Sequence, residues 1–167
     1  MSITFNAFEI FEMAEQIERN GAKFYRKAAK IVSDTKLQRT LLDLAAMEDR
    51  HEKIFAGMKR ELSPEQQAPA TYDPENEASL YLQAMADGHV FDVNKDISLQ
   101  LSGSESVEDI LKMAIQLEKD SIIFYIGLRD FVPAEAGREK IEDIIDEERS
   151  HIVVLSRKLA TLDRMED

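Results

Sequence analysis

The chain has 167 residues, 44% hydrophobic and 32% charged, with only four prolines and six glycines, a composition suited to one soluble, helix-rich domain with a core that needs no staples. Its formal charge of -12 argues against nucleic acid, whose phosphates such a surface repels. The absence of cysteine excludes disulfides, thiolate metal sites, iron–sulfur clusters and a cysteine nucleophile. The longest apolar run, Ile122 to Leu128, is far short of a bilayer span, and the start from Met1 to Phe11 holds no basic residue, unlike a signal peptide. We therefore expect a cytoplasmic protein with no membrane partner.

Periodicity predicts an all-α fold: four long helices, over about 7–32, 35–62, 107–131 and 136–162, in a single domain spanning 1–167. Asn6 followed by Glu9 offers a capping box to the first helix, and Asp34 can cap the second. So short a turn between them makes antiparallel neighbours. Residues 63–105 change character, with Pro64, Pro69 and Pro74 and no long amphipathic period, and read as a connection. One short helix is expected in it, from Pro74 to Ala86, with Leu80, Leu82 and Met85 packing inward. The connection is long enough to retrace the bundle, so the third helix can start beside the start of the second. Ser106 with Asp109 opens that third helix, Pro133 and Gly137 mark the next corner, and the charged tail after Leu162 is expected to fray.

Within the second helix Leu37, Leu41, Leu44, Glu48, His51, Phe55 and Met58 fall in steps of four and three, on one face. Glu48 and His51 interrupt that apolar stripe where a bundle helix buries its side chains, so each needs a partner. A Glu and a His three apart point the same way, a geometry that can chelate a metal. The fourth helix repeats it with Ile141, Ile144, Glu148, His151 and Leu155; 148 minus 48 and 151 minus 51 are both 100. The same offset relates the stripe of Glu18, Gly21 and Tyr25 in the first helix to that of Glu118, Ser121 and Tyr125 in the third. The chain is a duplicated helical hairpin.

A lone Glu-x-x-His is common on solvated helix faces; two at one offset, joined by matching glutamates, point to a metal site. Glu18, Glu48, His51, Glu118, Glu148 and His151 supply hard oxygen and borderline nitrogen donors, suited to iron or manganese with zinc a ready competitor. By symmetry Glu18 and Glu118 are terminal ligands, Glu48 and Glu148 bridge, and each histidine binds one metal. Tyr25 and Tyr125, two turns beyond the terminal glutamates, are candidate catalytic side chains behind the ligands. Gly21 and Ser121 leave room for a small molecule. His89, in the connection, reads as a solvated loop histidine, and the methionines as core filling. Glu12, Glu15, Asp49, Asp120, Asp143 and Glu147 are expected to face water or a neighbouring helix, with Glu15 and Asp143 as spare carboxylates.

One Glu from each of two helices and a Glu-x-x-His from each of the others is the ligand set of ferritin-like dinuclear carboxylate proteins. At these residues, with a tyrosine seven positions after each helix-one and helix-three glutamate, the chain resembles the rubrerythrin branch of that superfamily. The resemblance covers the four long helices. It implies a four-helix bundle with two iron ions, and an oxidoreductase that reduces hydrogen peroxide or dioxygen with electrons from an external donor such as a separate rubredoxin. It also implies a homodimer. The alternatives are a ferritin-like ferroxidase or iron-storage protein and a bundle holding a structural metal. The chain departs from rubrerythrin in having no cysteine for a rubredoxin-type iron, and in placing Ser121 where rubrerythrin has an extra carboxylate.

Overall fold

The computed structural model describes residues 6–65, 80, 84, 96–132, 134 and 137–166. Four long helices, α1 (Ala7–Ile31), α2 (Thr35–Glu61), α3 (Val107–Phe131) and α4 (Arg138–Glu166), account for most of them, with a 3-10 turn at Ile97–Gln100 and no strand among the described residues. Each start has a local cause. The Glu9 amide donates to Asn6 Oδ1 at 2.9 Å while Glu9 Oε2 accepts from the Asn6 amide at 3.0 Å. Asp34 Oδ1 accepts from the Leu37 amide at 2.6 Å, and Ser106 and Asp109 form a second capping box.

Only Val32, Ser33 and Asp34 separate α1 from α2, so the two fold back as a hairpin, and α3 and α4 form another. Two apolar layers join the hairpins. One gathers the start of α1 (Ile10, Phe11), the end of α2 (Phe55, Met58), the end of α3 (Leu128, Val132) and the start of α4 (Ile141, Ile144). The other gathers the opposite ends, through Phe24, Tyr25, Leu41, Leu44, Ile110, Leu111 and Leu155. This places the start of α3 beside the start of α2, as the long connection allows. The end of that connection is tied to α1, where Lys27 Nζ donates to the Ser98 carbonyl at 2.9 Å and Leu101 is buried.

Three local expectations are revised. Helix α4 begins at Arg138 because Gly137 adopts φ +98, a conformation glycine tolerates and a helix does not continue. It runs through the tail to Glu166, a stretch with neither Gly nor Pro, and Arg164 Nε bonds back to the Ala160 carbonyl at 3.2 Å. Leu80 is helical, as is Ala84, but 55% exposed and not packed inward; Leu101 closes the bundle. The rest of the expected helix from Pro74 to Ala86, with His89, lies outside the described residues. No helix among those described is long and apolar enough to cross a membrane.

Candidate metal centre

Between the two apolar layers lies a polar one. Glu18 of α1, Glu48 and His51 of α2, Glu118 of α3, and Glu148 and His151 of α4 all enter it, none more than 4% exposed. The stripe spacing brings them there, since each sits mid-helix on the face that carries the core residues on either side. The six form two overlapping groups: Glu18, Glu48, His51 and Glu148, and Glu48, Glu118, Glu148 and His151, with one ligand atom of each residue within 4.8 Å of the others in its group. Glu48 and Glu148 belong to both, in keeping with a bridging position. The imidazoles stack with ring centroids 5.9 Å apart, each turning Nδ1 toward the carboxylates. His51 Nδ1 lies 2.9 Å from Glu148 Oε1, and His151 Nδ1 2.8 Å from Glu148 Oε2.

The tyrosines cross between hairpins. Tyr25 Oη donates to Glu118 Oε1 and Tyr125 Oη to Glu18 Oε1. Burial, with the facing carboxylates, pushes both phenols well above their ordinary range, so they remain donors. Glu48 packs against α1 at Gly21, where an added Cβ would come within 2.9 Å of Glu48 Oε2.

Crowding sets the electrostatics of this layer. Burial, then Glu148, raises Glu18, and burial with Glu148 and Glu18 raises Glu48, both well above the usual carboxylate range. Burial and Glu148 lift Glu118 to about 8. Burial opposes ionisation of Glu148 too, but contact with His151 and His51 holds it well below the usual range. Burial also disfavours charged imidazoles, yet Glu148 and then Glu48 and Glu147 lift His51 to about 9, and Glu118 and Glu148 lift His151 to about 10. Protons do here what a cation would do. Among the described residues, Glu18 Oε2, Glu48 Oε1, both Glu148 oxygens and the Nδ1 atoms of both histidines are buried without a properly aligned hydrogen bond. Clustered lone pairs of this type fit two divalent cations.

Of the other carboxylates, Glu15 is not a spare ligand: it pairs with Lys59 Nζ at 2.7 Å. Asp49 pairs with Arg26, and Asp143 is exposed. Glu147 departs from expectation. It does pair with a neighbouring helix through Arg50, but its Oε2 also lies 3.0 Å from Nε2 of His51. No spacing signals this contact, because the residue one offset earlier is Met47.

An all-helical bundle with a buried layer of four glutamates and two histidines defines the ferritin-like diiron-carboxylate class. Its fold is similar to that of a candidate ferritin-like diiron-carboxylate protein of Thermotoga maritima, solved at 2.30 Å, with a TM-score of 0.75 and 25% identity over 96% of this chain and 98% of that one. The Rubrerythrin family model matches residues 9–97, more than half of the sequence, and the chain belongs to the rubrerythrin family. No curated protein matches it.

Proposed function

We propose that the protein is a non-haem di-iron oxidoreductase that reduces hydrogen peroxide or dioxygen. The observation that carries this is the pair of overlapping donor groups, each with its own histidine and its own tyrosine-held glutamate, sharing Glu48 and Glu148. In this reading Glu18 and His51 serve one iron ion, Glu118 and His151 the other; manganese or zinc would compete for the same donors. Bound iron would supply the two electrons that the oxidant takes up. The chain's own groups do the rest. Tyr125 and Tyr25 hold the terminal carboxylates in place, the apolar layers keep bulk water from the site, and Gly21, where the sequence suggested room for a small molecule, instead lets the Glu48 carboxylate lie against α1.

These 167 residues hold no thiolate to relay electrons, and the reading takes the reductant to be an external electron donor, a rubredoxin being the first candidate. A cytoplasmic homodimer completes the reading. The test is an anaerobic stopped-flow titration of the ferrous-loaded protein. We expect oxidation by about one equivalent of peroxide per two irons, then a halt until a reduced carrier supplies two further electrons. Sustained peroxide consumption without any reductant would contradict the reading, and rapid oxidation by air with retention of many irons per chain would favour iron storage.

A further inference from the structure

The hundred-residue offset that matches every ligand of one hairpin to one of the other fails just beyond the ligands. Glu147 and Arg50, which contact one another, have Met47 and Ser150 as their counterparts. We infer that Glu147 is a positioning residue that makes the two cation positions unequal, favouring the one built on His51 over the one built on His151. The inference rests on the two-cation reading above and extends it to the order of filling.

Both rings face the glutamates through Nδ1. For His51 the nearest oxygens are Glu148 Oε1 at 2.9 Å and Glu18 Oε2 at 3.5 Å; for His151 they are Glu148 Oε2 at 2.8 Å, Glu118 Oε1 at 3.4 Å and Glu48 Oε1 at 3.5 Å. A neutral imidazole that gives the Nδ1 lone pair to a cation must carry its proton on Nε2. At His51 that N–H meets Glu147 Oε2 at 3.0 Å, and Arg50 Nη2 donates to the same oxygen, fixing the carboxylate in place. The bond selects the tautomer, orients the ring and makes Nδ1 a better donor. At His151 the Nε2 atom is buried and has no hydrogen-bond partner among the described residues. A cation bound there leaves a stranded N–H, and a cation at His51 does not.

The test uses the full-length, metal-free protein with Zn2+ and Co2+ as probes, titrated against a competing chelator. In the wild type, one equivalent of Zn2+ should shift the imidazole resonances of His51 before those of His151. Glu147→Ala should weaken the tighter binding step by about 10- to 100-fold and leave the weaker one in place, with the Nε2–H resonance of His51 losing its hydrogen-bonded shift. Glu147→Gln should recover part of both, since its amide oxygen can still accept. Asp143→Ala removes an equal charge from the groove that Glu147 also lines and should change neither step. If Glu147→Ala does not fold, Met47→Glu decides, because a carboxylate restored at the matching position should bring the two steps together. The inference is overturned if His151 fills first, if Asp143→Ala reproduces the loss, or if wild type binds two ions and neither variant alters their ratio. Wild type that binds neither Zn2+ nor Co2+ would bring down the metal reading itself.

Discussion

Gly21 governs how closely α1 approaches the shared carboxylate of Glu48. A methyl group added there would meet Glu48 Oε2 at 2.9 Å, the far end of a flexible side chain, whereas the helix around it would gain from losing a glycine. The two effects act on different states. Alanine in a helix interior is worth about 0.5–1 kcal/mol over glycine, so metal-free Gly21→Ala should melt no lower than wild type. The displaced Glu48 should bind metal less well, and the rise in Tm on adding Zn2+ should shrink. Calorimetry with and without Zn2+ reads both; an undiminished rise would show that Glu48 can move aside and still serve both positions. The matching Ser121 carries a buried side chain, so the close approach that Gly21 allows to Glu48 has no glycine counterpart in α3.

Among the helices, each hairpin packs chiefly against itself, and the tyrosine–glutamate bonds run between hairpins. Tyr25 reaches from α1 to Glu118 of α3, and Tyr125 from α3 to Glu18 of α1. Replacing either tyrosine by phenylalanine leaves a buried carboxyl oxygen without its donor, a loss of about 1–3 kcal/mol. We expect that decrease in urea denaturation of the metal-free protein for Tyr25→Phe and for Tyr125→Phe. The two should not simply add, because both glutamates they hold face Glu148. A decrease below a few tenths of a kcal/mol in both variants would mean that the phenols only fill space.

For the whole molecule the buried layer ties stability to pH. His51 and His151 have folded values raised to about 9 and 10 from 6.5, and Glu118 is raised to about 8 from 4.5. Groups raised in the fold contribute stability that is complete below their unfolded values and is lost as pH rises through the folded ones. Glu148, held low, works the other way and fails only in strong acid. The metal-free protein should therefore lose stability from about pH 5, where the unfolded Glu118 would already be ionised, up to about pH 10, where the folded imidazoles lose their protons and bare carboxylates face one another. Metal should flatten that slope and bind more tightly as pH rises through the same window, since it displaces those protons. Tm measured across pH in chelator and in Zn2+ tests this, and parallel curves would contradict it.

Much of this architecture was legible in the chain itself because the causes are local or repeated. Asn6, Asp34 and Ser106 cap their helices within three residues of themselves, and a glutamate and a histidine on an apolar stripe have few places to point. The hundred-residue offset then gathered Glu18, Glu48, His51, Glu118, Glu148 and His151 before any contact was known, and the structure buries all six in one layer. Stripe spacing also put the tyrosines within reach of a ligand, without saying whose. What the sequence could not carry is how one helix is rotated and shifted against another, because spacing orients a side chain relative to its own axis and to nothing else. Packing of the two apolar layers decided that Tyr25 meets Glu118, that Tyr125 meets Glu18, and that Glu147, which reads as a surface residue, reaches around to His51. Packing also left Leu80 exposed, whereas α4 continues through its charged tail for a local reason, the lack of Gly or Pro there. The duplication picked out the candidate ligands; interhelical register determined which groups stand behind them, and there the two halves stop being alike.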